Sequence, residues 1–344
     1  MVVASLRVQN FRNHIDTHCE FSPKSTLIYG KNGSGKTALL EAIYIAYRGV
    51  SFRGTDDEII RFAQKWYRAD VAESAAVTRT VLADNRTEQK IKRFVVDGKK
   101  SVRLPIKYKQ PIILFTPDDL QLINGSPARR RKYLDTVISQ YNPQYGQALR
   151  RYERALLQRN KLLKQYNVSR DALFSWDMIL SQTGAVIIAA REQLIEYITN
   201  KITHYYRDIA GDTHSELMAK YSHSATPAPV LLAQYHASYD HDNITKTTSV
   251  GPHRHDFLFS LNSRPATDCA SRGEIRTIIL ALKYIEANLV FNKLDKHPIV
   301  LLDDVFGELD LSRQKNLQHA FMYNQIIATG TDLHSGFNAA IKLS

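Results

Sequence analysis

The chain has few cysteines and little that marks an exported or membrane-bound protein. Its 344 residues include only two cysteines, Cys19 and Cys269. They are far apart and lack the spacing of a disulfide framework or a zinc site. No apolar run approaches the ~20 residues that a membrane-spanning helix needs, and residues 1–7 soon turn polar, unlike a signal peptide. We therefore expect a cytoplasmic protein without a membrane partner, with a core that forms without disulfides or structural metal.

Positive charge is in clear excess. The chain has 46 Lys and Arg residues against 34 Asp and Glu, which gives a net charge of +12 and a pI near 9.5. A surplus of this size favours a polyanionic partner, either nucleic acid or an anionic surface. The alternative is a surface charge that serves only solubility.

The residue pattern changes along the chain. Residues 1–115 alternate short β-forming runs with turns, which predicts strands. Residues 126–210 have helical periodicity, and Ser126-Pro127 is a good helix start signal. The stretch 222–246 is rich in Ser, Thr, His, Pro and Asp, which predicts an irregular connection. From residue 249 onward a helical run and short apolar strands return.

These changes predict two domains. The two α/β stretches form one discontinuous domain, residues 1–118 and 247–344. The helical stretch, residues 119–246, is inserted in its middle. The predicted fold class is therefore α/β, with a helical insertion.

A complete phosphate-binding loop lies near the N-terminus. Residues 30–37 match the pattern G-x-x-x-x-G-K-[ST]. The backbone N–H groups of such a loop and the following helix N-terminus bind phosphate oxygens. We expect Lys36 to reach the β- and γ-phosphates and Thr37 to hold Mg²⁺. The predicted nucleotide-binding residues are Gly30, Lys31, Asn32, Gly33, Ser34, Gly35, Lys36 and Thr37.

Two acids follow an apolar strand in the last third of the chain. Residues 299–302 are fully apolar, and Asp303 and Asp304 come directly after them. This pattern predicts a Walker B strand, in which Asp303 holds Mg²⁺ and Asp304 polarises the attacking water. Many ABC-type ATPases have glutamate at the second position, and the shorter aspartate predicts slow turnover. The alternative is an ordinary acidic turn after a strand.

Two further segments distinguish ABC-type ATPases from other P-loop proteins. Residues 307–310 resemble the D-loop of that class. Residues 271–274, Ser-Arg-Gly-Glu, open a helical run and resemble the ABC signature S-x-G-[EQ]. The Ser271 hydroxyl, the Gly273 amide and the helix N-terminus predict a second phosphate-binding surface. The alternative is an ordinary helix N-cap.

Four more segments resemble the RecF family of ABC/SMC-type ATPases. They are residues 10–13 (NFRN), 115–120 (FTPDDL), 125–135 (GSPARRRKYLD) and 249–254 (SVGPHR). The resemblance implies an ABC/SMC-type ATPase head with an inserted helical arm, and it implies that Arg12 contacts the nucleotide. It also implies an ATP-dependent homodimer, in which the signature of one copy faces the P-loop of the other.

The resemblance further implies a weak, DNA-stimulated ATPase of single-strand gap repair and recombination. Such a protein binds duplex DNA at gap junctions and has RecR and RecO as partners. Three alternatives stay open: an ABC-type ATPase subunit coupled to a membrane partner, an SMC-like head that does not act in gap repair, and a binding module that uses ATP only as a structural ligand.

Three charged segments have more than one interpretation. His253, His255 and Asp256 suggest a metal site, but no further ligand is placed, so we predict none. The cations of residues 129–132 oppose the dipole of their helix, which predicts an acidic partner. That partner is either DNA phosphate or an internal acid such as Asp118, Asp119 or Asp135. An equally good DNA surface is formed by Lys99, Lys100, Arg103, Lys107 and Lys109.

Overall fold

The structure is a computed structural model that describes residues 2–73, 77–87, 89–165, 168–223, 226–305, 311–334 and 336–343. The chain divides into two compact units. The first combines Met1–Asp119 with Glu286–Ser344, and the second is Leu120–Ile285.

The first unit contains two sheets. An antiparallel sheet is formed by β1 (Ser5–Phe11), β2 (His14–Glu20), β4 (Trp66–Glu73), β5 (Val77–Asp84), β6 (Ile91–Val96) and β7 (Lys99–Ser101). Its strand order is β2-β1-β4-β5-β6-β7. A parallel sheet is formed by β3 (Ser25–Gly30), β8 (Ile112–Phe115), β12 (Ile299–Leu302), β13 (Ile326–Gly330) and β14 (Ala339–Leu343). Its order is β14-β3-β13-β12-β8.

Helix α1 (Lys36–Arg48) contacts strands of both sheets. Its residues 38–47 are all buried, which is the pattern of a helix covered on every side rather than on one face. All four residues of β12 are buried as well, as expected for a strand inside a parallel sheet. The unit is completed by α2 (Asp56–Ile59), α11 (Leu311–Ala320) and a 3-10 helix at Ile106–Tyr108.

The second unit is mainly helical. Its helices are α3 (Gln121–Asn124), α4 (Pro127–Tyr141), α5 (Pro143–Leu163), α6 (Arg170–Ala210), α7 (Ala228–Ala237), α8 (Tyr239–Thr245) and α9 (Ala266–Cys269). Helix α10 (Arg272–Leu294) begins in this unit and ends in the first one. A small sheet has the order β11-β10-β9, formed by β9 (Leu217–Tyr221), β10 (Phe257–Leu261) and β11 (Arg264–Pro265).

Two details differ from the sequence prediction. Residues 222–246 are not irregular, because they contain α7 and α8. The polar composition of this stretch hides Leu231 and Tyr235, which lie four residues apart and are both buried. Residues 247–285, which we predicted in the α/β domain, group with the helical unit instead.

Hydrogen bonds from buried arginines explain why the segment after residue 246 belongs to the helical unit. Arg159 of α5 donates to the Thr248 hydroxyl at 2.9 Å and to Asp242 at 2.6 Å. Arg191 of α6 donates to the backbone oxygen of Pro252 at 2.7 Å. Both arginines are buried, so this segment is needed to satisfy their hydrogen-bonding groups.

The prediction that no apolar run is long enough to span a membrane is wrong for helix α6. It contains an 18-residue window with a mean hydropathy of 1.4, of which 44% is buried within the protein. By length and composition alone it would span a bilayer. However, it also contains the buried residues Asp177 and Arg191, which form ion pairs within the second unit. These contacts are those of a core helix.

Candidate functional site

The P-loop follows β3 and leads into α1. Gly33 and Gly35 have φ angles of 84° and 96°, a backbone conformation that favours glycine. A Cβ atom on Gly35 would lie 2.4 Å from side-chain atoms of Asn13 and His14, so only glycine fits there. The Lys36 ammonium group donates to the backbone oxygens of Gly30 and Lys31, at 2.8 and 3.0 Å, and therefore lies over the loop.

The turn between β1 and β2 braces the P-loop. The Asn13 amide donates to the Gly33 oxygen at 3.0 Å, and His14 Nε2 lies 3.1 Å from the Gly35 oxygen. Because a carbonyl oxygen only accepts, His14 must carry its proton on Nε2. Burial lowers the pKa of His14, which keeps the ring neutral. The loop is thus held by side chains from outside it.

Arg12 lies in the same turn and is fixed by a buried carboxylate. Its guanidinium donates two hydrogen bonds to Glu41, at 2.8 and 2.7 Å, and one to the backbone oxygen of Glu58 at 2.7 Å. Glu41 is fully buried on α1, and the Arg12 side chain keeps 18% of its surface exposed. The hydrogen bonds to Glu41 are the main cause of the raised pKa of Arg12.

The Walker B acid and the P-loop threonine lie in direct contact. The Thr37 hydroxyl donates to Asp303 at 2.7 Å, and the Thr329 hydroxyl donates to the same oxygen at 2.9 Å. The strand order explains the hydrogen bond from Thr329. Because β13 lies between β3 and β12, Thr329 of β13 lies beside Asp303, which follows β12. Burial raises the pKa of Asp303, although both hydroxyls oppose that shift.

Asp304 has an unusual backbone conformation. Its φ angle is 51°, which is uncommon for any residue other than glycine and is often found at functional sites. Its N–H donates to the Thr329 hydroxyl at 2.9 Å. Its Oδ1 atom is buried and has no hydrogen-bond partner within the described residues. A buried carboxylate oxygen without a partner is able to accept a hydrogen bond from a ligand or water.

A cavity of about 990 Å³ opens over these groups. It is lined by most of the P-loop, including Lys36 and Thr37, and by Asp304. Its other wall contains Arg12, Asn13, Arg53 and the segment 57–62. The volume lies at the upper end of the range for small-molecule sites. The cavity therefore has room for a nucleoside triphosphate with its phosphates on the P-loop.

The donor set at the phosphate end suits magnesium. Thr37 and Asp303 supply a hydroxyl and a carboxylate oxygen, and Mg²⁺ prefers oxygen ligands. Within the described part of the chain, no three His, Cys, Asp or Glu residues form a metal-binding group. Such a cluster is not required, because Mg²⁺ is commonly held by one or two protein groups together with phosphates and water.

The signature segment caps α10. Glu274 N–H donates to the Ser271 hydroxyl at 3.3 Å, and Ser271 N–H donates to the Glu274 carboxylate at 2.7 Å. This is a capping box, so the N-cap interpretation holds locally. Ser271 is nevertheless exposed, and among the hydrogen bonds of the described residues its hydroxyl acts only as an acceptor. Residues 307–310, the predicted D-loop, lie outside the described residues.

Comparison with known proteins identifies the family. The chain matches the AAA domain family over residues 5–210, more than half of its length. It is 32% identical to the DNA replication and repair protein RecF of Lachnoclostridium phytofermentans, over 99% of this chain and 96% of that protein. The chain belongs to the RecF family. A solved structure of the recombination mediator protein RecF with ATP, in the RecFOR pathway, superposes with a TM-score of 0.88 at 29% identity, covering 99% of this chain and 95% of the other.

A likeness to SMC heads extends the fold assignment. The Smc head domain of Pyrococcus furiosus superposes over 96% of this chain and 90% of its own, with a TM-score of 0.54 at 14% identity. At that identity the likeness concerns the fold alone. Together with the RecF match it confirms the predicted class, an α/β P-loop ATPase head of the ABC/SMC type with an inserted helical arm.

Two of the four cations near the start of α4, Arg130 and Arg131, have internal partners in this RecF-family protein. Arg130 is buried and donates two hydrogen bonds to Asp256, at 2.7 and 2.8 Å. Arg131 donates to the His255 backbone oxygen at 2.9 Å. The predicted acidic partner therefore exists within the fold, but it is Asp256. Asp135, one of the suggested partners, pairs with Arg191 instead.

The Gly-Pro-His-Arg segment is built into the helical unit. His253 Nδ1 lies 2.6 Å from the Tyr152 hydroxyl, and Nε2 lies 3.0 Å from the Thr248 oxygen. Both ring nitrogens are thus occupied, which leaves none for a metal. Burial lowers the pKa of His253 to about 4. His255 lies 3.1 Å from the Tyr221 hydroxyl and stacks on His223 at 3.7 Å.

Sequence patterns missed two groups that hold the site together. In the sequence, Thr329 looks like an ordinary threonine after an apolar run. The strand order places its hydroxyl between the Asp303 carboxylate and the Asp304 N–H. Glu41 looks like an ordinary polar position of α1 in the sequence, yet it is fully buried and fixes Arg12. A single acid within the apolar stretch 38–47 was a signal that the sequence offered for Glu41.

Proposed function

We propose that this protein is an ATP-dependent DNA-binding ATPase of single-strand gap repair and recombination. The observation that carries the proposal is the contact between Thr37 and Asp303 at the cavity of the P-loop. It brings together two groups that P-loop ATPases use, although they are 266 residues apart. RecF-family membership supplies the biological setting.

ATP binds with its phosphates on Gly30–Thr37, and Lys36 neutralises the β- and γ-phosphates. Arg12 contributes a guanidinium that already lies at the cavity wall. Thr37 and Asp303 would hold Mg²⁺, which would supply charge stabilisation for phosphoryl transfer. Asp304, with its unpartnered carboxylate oxygen, accepts a hydrogen bond from the attacking water. Its short side chain accords with slow turnover.

Two copies enclose the nucleotide in this proposal. Ser271 and Gly273 of one copy approach the γ-phosphate that is bound to the P-loop of the other, in an ATP-dependent homodimer. The exposed Ser271 hydroxyl, already oriented by the capping box, supports this role.

The proposed macromolecular partner is duplex DNA at gap junctions, and RecR and RecO are the proposed protein partners. The RecFOR pathway of a relative's structure and the net charge of +12 support this assignment. A cytoplasmic location follows from the same role, since the substrate is the bacterial chromosome.

Two matched variants test the composite site. Ser271→Arg should leave ATP binding by the monomer nearly unchanged and abolish ATP-dependent dimerisation, because the bulk of arginine blocks the γ-phosphate of the other copy. Asp304→Asn should dimerise with ATP and persist, since water activation is lost while Asp303 remains. Size-exclusion chromatography with light scattering, with and without ATP and duplex DNA, measures both.

Mixing the two variants sharpens the test. In a heterodimer, one nucleotide site combines an intact P-loop and Walker B with an intact signature, and the other site carries both defects. Some ATP hydrolysis should therefore return in the mixture. Full ATPase activity of Ser271→Arg alone, at saturating ATP and DNA, would show that this segment does not complete the site.

A further inference from the structure

A row of cations covers the outer face of α5. These exposed residues are Arg150, Arg151, Arg154, Lys161 and Lys164. The helix is anchored through its opposite face, which buries Tyr145, Tyr152, Ala155, Arg159 and Leu163. We call the five cations the α5 basic face.

The charge of this face is almost uncompensated. Arg150 is attracted by Glu153, three residues further along the same helix. Within the described part of the chain, no ion pair or hydrogen bond to a carboxylate is formed by Arg151, Arg154, Lys161 or Lys164. This differs from the cations of α4, whose Arg130 pairs with Asp256.

Helix stability does not explain the three arginines of this face. Arg150 and Arg154 are four residues apart, and Arg151 and Arg154 are three apart. Like charges at these spacings are neighbours on the helix surface and destabilise it. An anionic partner that binds the face would remove this repulsion.

The geometry fits a long, regular polyanion. At ~100° per residue, Arg150, Arg154 and Lys161 lie within about 40° of one another around the helix axis. From Arg150 to Lys164 the row extends roughly 21 Å along the axis, at ~1.5 Å per residue. Duplex DNA carries one phosphate per ~1.7 Å of its length, so a stretch of that length offers about a dozen phosphates.

We propose that the α5 basic face is a DNA-backbone contact of this protein, and the inference rests on the proposed function. The side chains between the cations support a phosphate contact. Gln147 and Gln158 are exposed on the same face, and amide groups donate hydrogen bonds to phosphate oxygens. Leu157 is the one large apolar residue exposed on α5. A helix that binds a membrane surface needs an apolar face, and this face lacks one.

A triple alanine variant tests the contact. Arg150→Ala, Arg154→Ala and Lys161→Ala together remove three cations and retain good helix formers. If all three contact phosphates, the slope of log affinity against log salt should become shallower by about 2.7. Between about 50 and 200 mM salt, the variant should then lose roughly 40-fold less affinity than the unmodified protein. Fluorescence anisotropy with a labelled gapped duplex measures this.

A matched variant separates a local contact from net charge. Lys24→Ala, Lys293→Ala and Lys296→Ala also remove three exposed cations, but from the first unit, at positions for which no DNA contact is predicted. Its salt slope should stay close to that of the unmodified protein. Circular dichroism and ATP binding verify the fold of both variants, and the pair Arg154→Gln and Lys161→Gln replaces the triple variant if that one fails to fold.

Each of the other outcomes would contradict a different part of the proposal. Equal changes of slope in both triple variants would mean that only net charge matters. An unchanged slope in the α5 variant would place the DNA contact elsewhere, while leaving the proposed function intact. Binding of the α5 face to anionic phospholipid vesicles rather than to DNA would assign it to a membrane. Absence of DNA binding by the unmodified protein, with or without ATP, would overturn the DNA part of the proposed function itself.

Discussion

Thr329→Val removes a hydroxyl that serves both Walker B acids. Thr329 donates to Asp303 at 2.9 Å and accepts from the Asp304 N–H at 2.9 Å. Valine has nearly the same shape, so packing is retained, but both hydrogen bonds are lost. Thr37 is then the one remaining donor to Asp303 among the described hydrogen bonds. The Asp304 N–H also loses the bond that supports its left-handed conformation.

The expected effect is a weaker magnesium site. A hydrogen bond to a charged group contributes about 1.5–3 kcal/mol, and loss of a group that orients a metal ligand typically lowers metal affinity about 10–100-fold. We therefore expect Thr329→Val to need about 10–100 times more Mg²⁺ for half-maximal ATP hydrolysis. Binding of ATP without Mg²⁺ should change little, because Lys36 and the P-loop backbone are untouched.

The assay is a Mg²⁺ titration of ATP hydrolysis, paired with binding of a fluorescent ATP analogue in EDTA. Thr329→Ser is the control, since it keeps the hydroxyl and should behave like the unmodified protein. An unchanged Mg²⁺ requirement in Thr329→Val would refute the argument that this hydroxyl orients Asp303. Equal loss in the serine and valine variants would mean that the packing of the whole threonine side chain, and not its hydroxyl alone, sets the Mg²⁺ requirement.

Three other perturbations have defined outcomes. Gly35→Ala should abolish ATP binding, because its Cβ would lie 2.4 Å from Asn13 in a conformation with φ of 96°; normal affinity by equilibrium dialysis would contradict this. Glu41→Gln should lower the free energy of unfolding by about 1–3 kcal/mol, because Arg12 loses its charged partner; an unchanged urea midpoint would count against it. The free energy of unfolding should fall as pH decreases from about 6.5 to about 4, because burial lowers the pKa of His253 to about 4 and the unfolded chain therefore takes up the proton first. His253→Gln should make that pH dependence shallower in urea titrations, and equal pH profiles would exclude His253 as its source.

Candidate site residues are easiest to predict from the sequence where they are neighbours in the chain. The P-loop is continuous, and Asp303 and Asp304 follow a recognisable buried strand. Thr37 and Asp303 are far apart in the chain, yet their contact was predictable because the Walker patterns imply it. Thr329 was not predictable, since its role depends on β13 lying between β3 and β12.

The second domain junction was missed for a related reason. The pattern of residues 249–285 is that of an α/β segment, and it does form strands and helices. However, the Pro252 backbone oxygen, like the Thr248 hydroxyl just before this segment, accepts a hydrogen bond from a buried arginine of the helical unit. Buried groups that need hydrogen-bond partners do not recur at regular intervals along the chain, so the residue pattern does not reveal them. The acidic partner of Arg130 is similarly 126 residues away, so charge spacing alone did not find it.

The side-chain bracing of the P-loop bears on the thermodynamics of nucleotide capture. Asn13 and His14 hold the Gly33 and Gly35 oxygens through contacts that do not involve nucleotide, so we expect ATP to meet a loop that needs little ordering. Preorganisation of this kind reduces the conformational entropy lost on binding. The entropy change of ATP binding should therefore become more unfavourable in Asn13→Ala than in the unmodified protein, and isothermal titration calorimetry measures this difference.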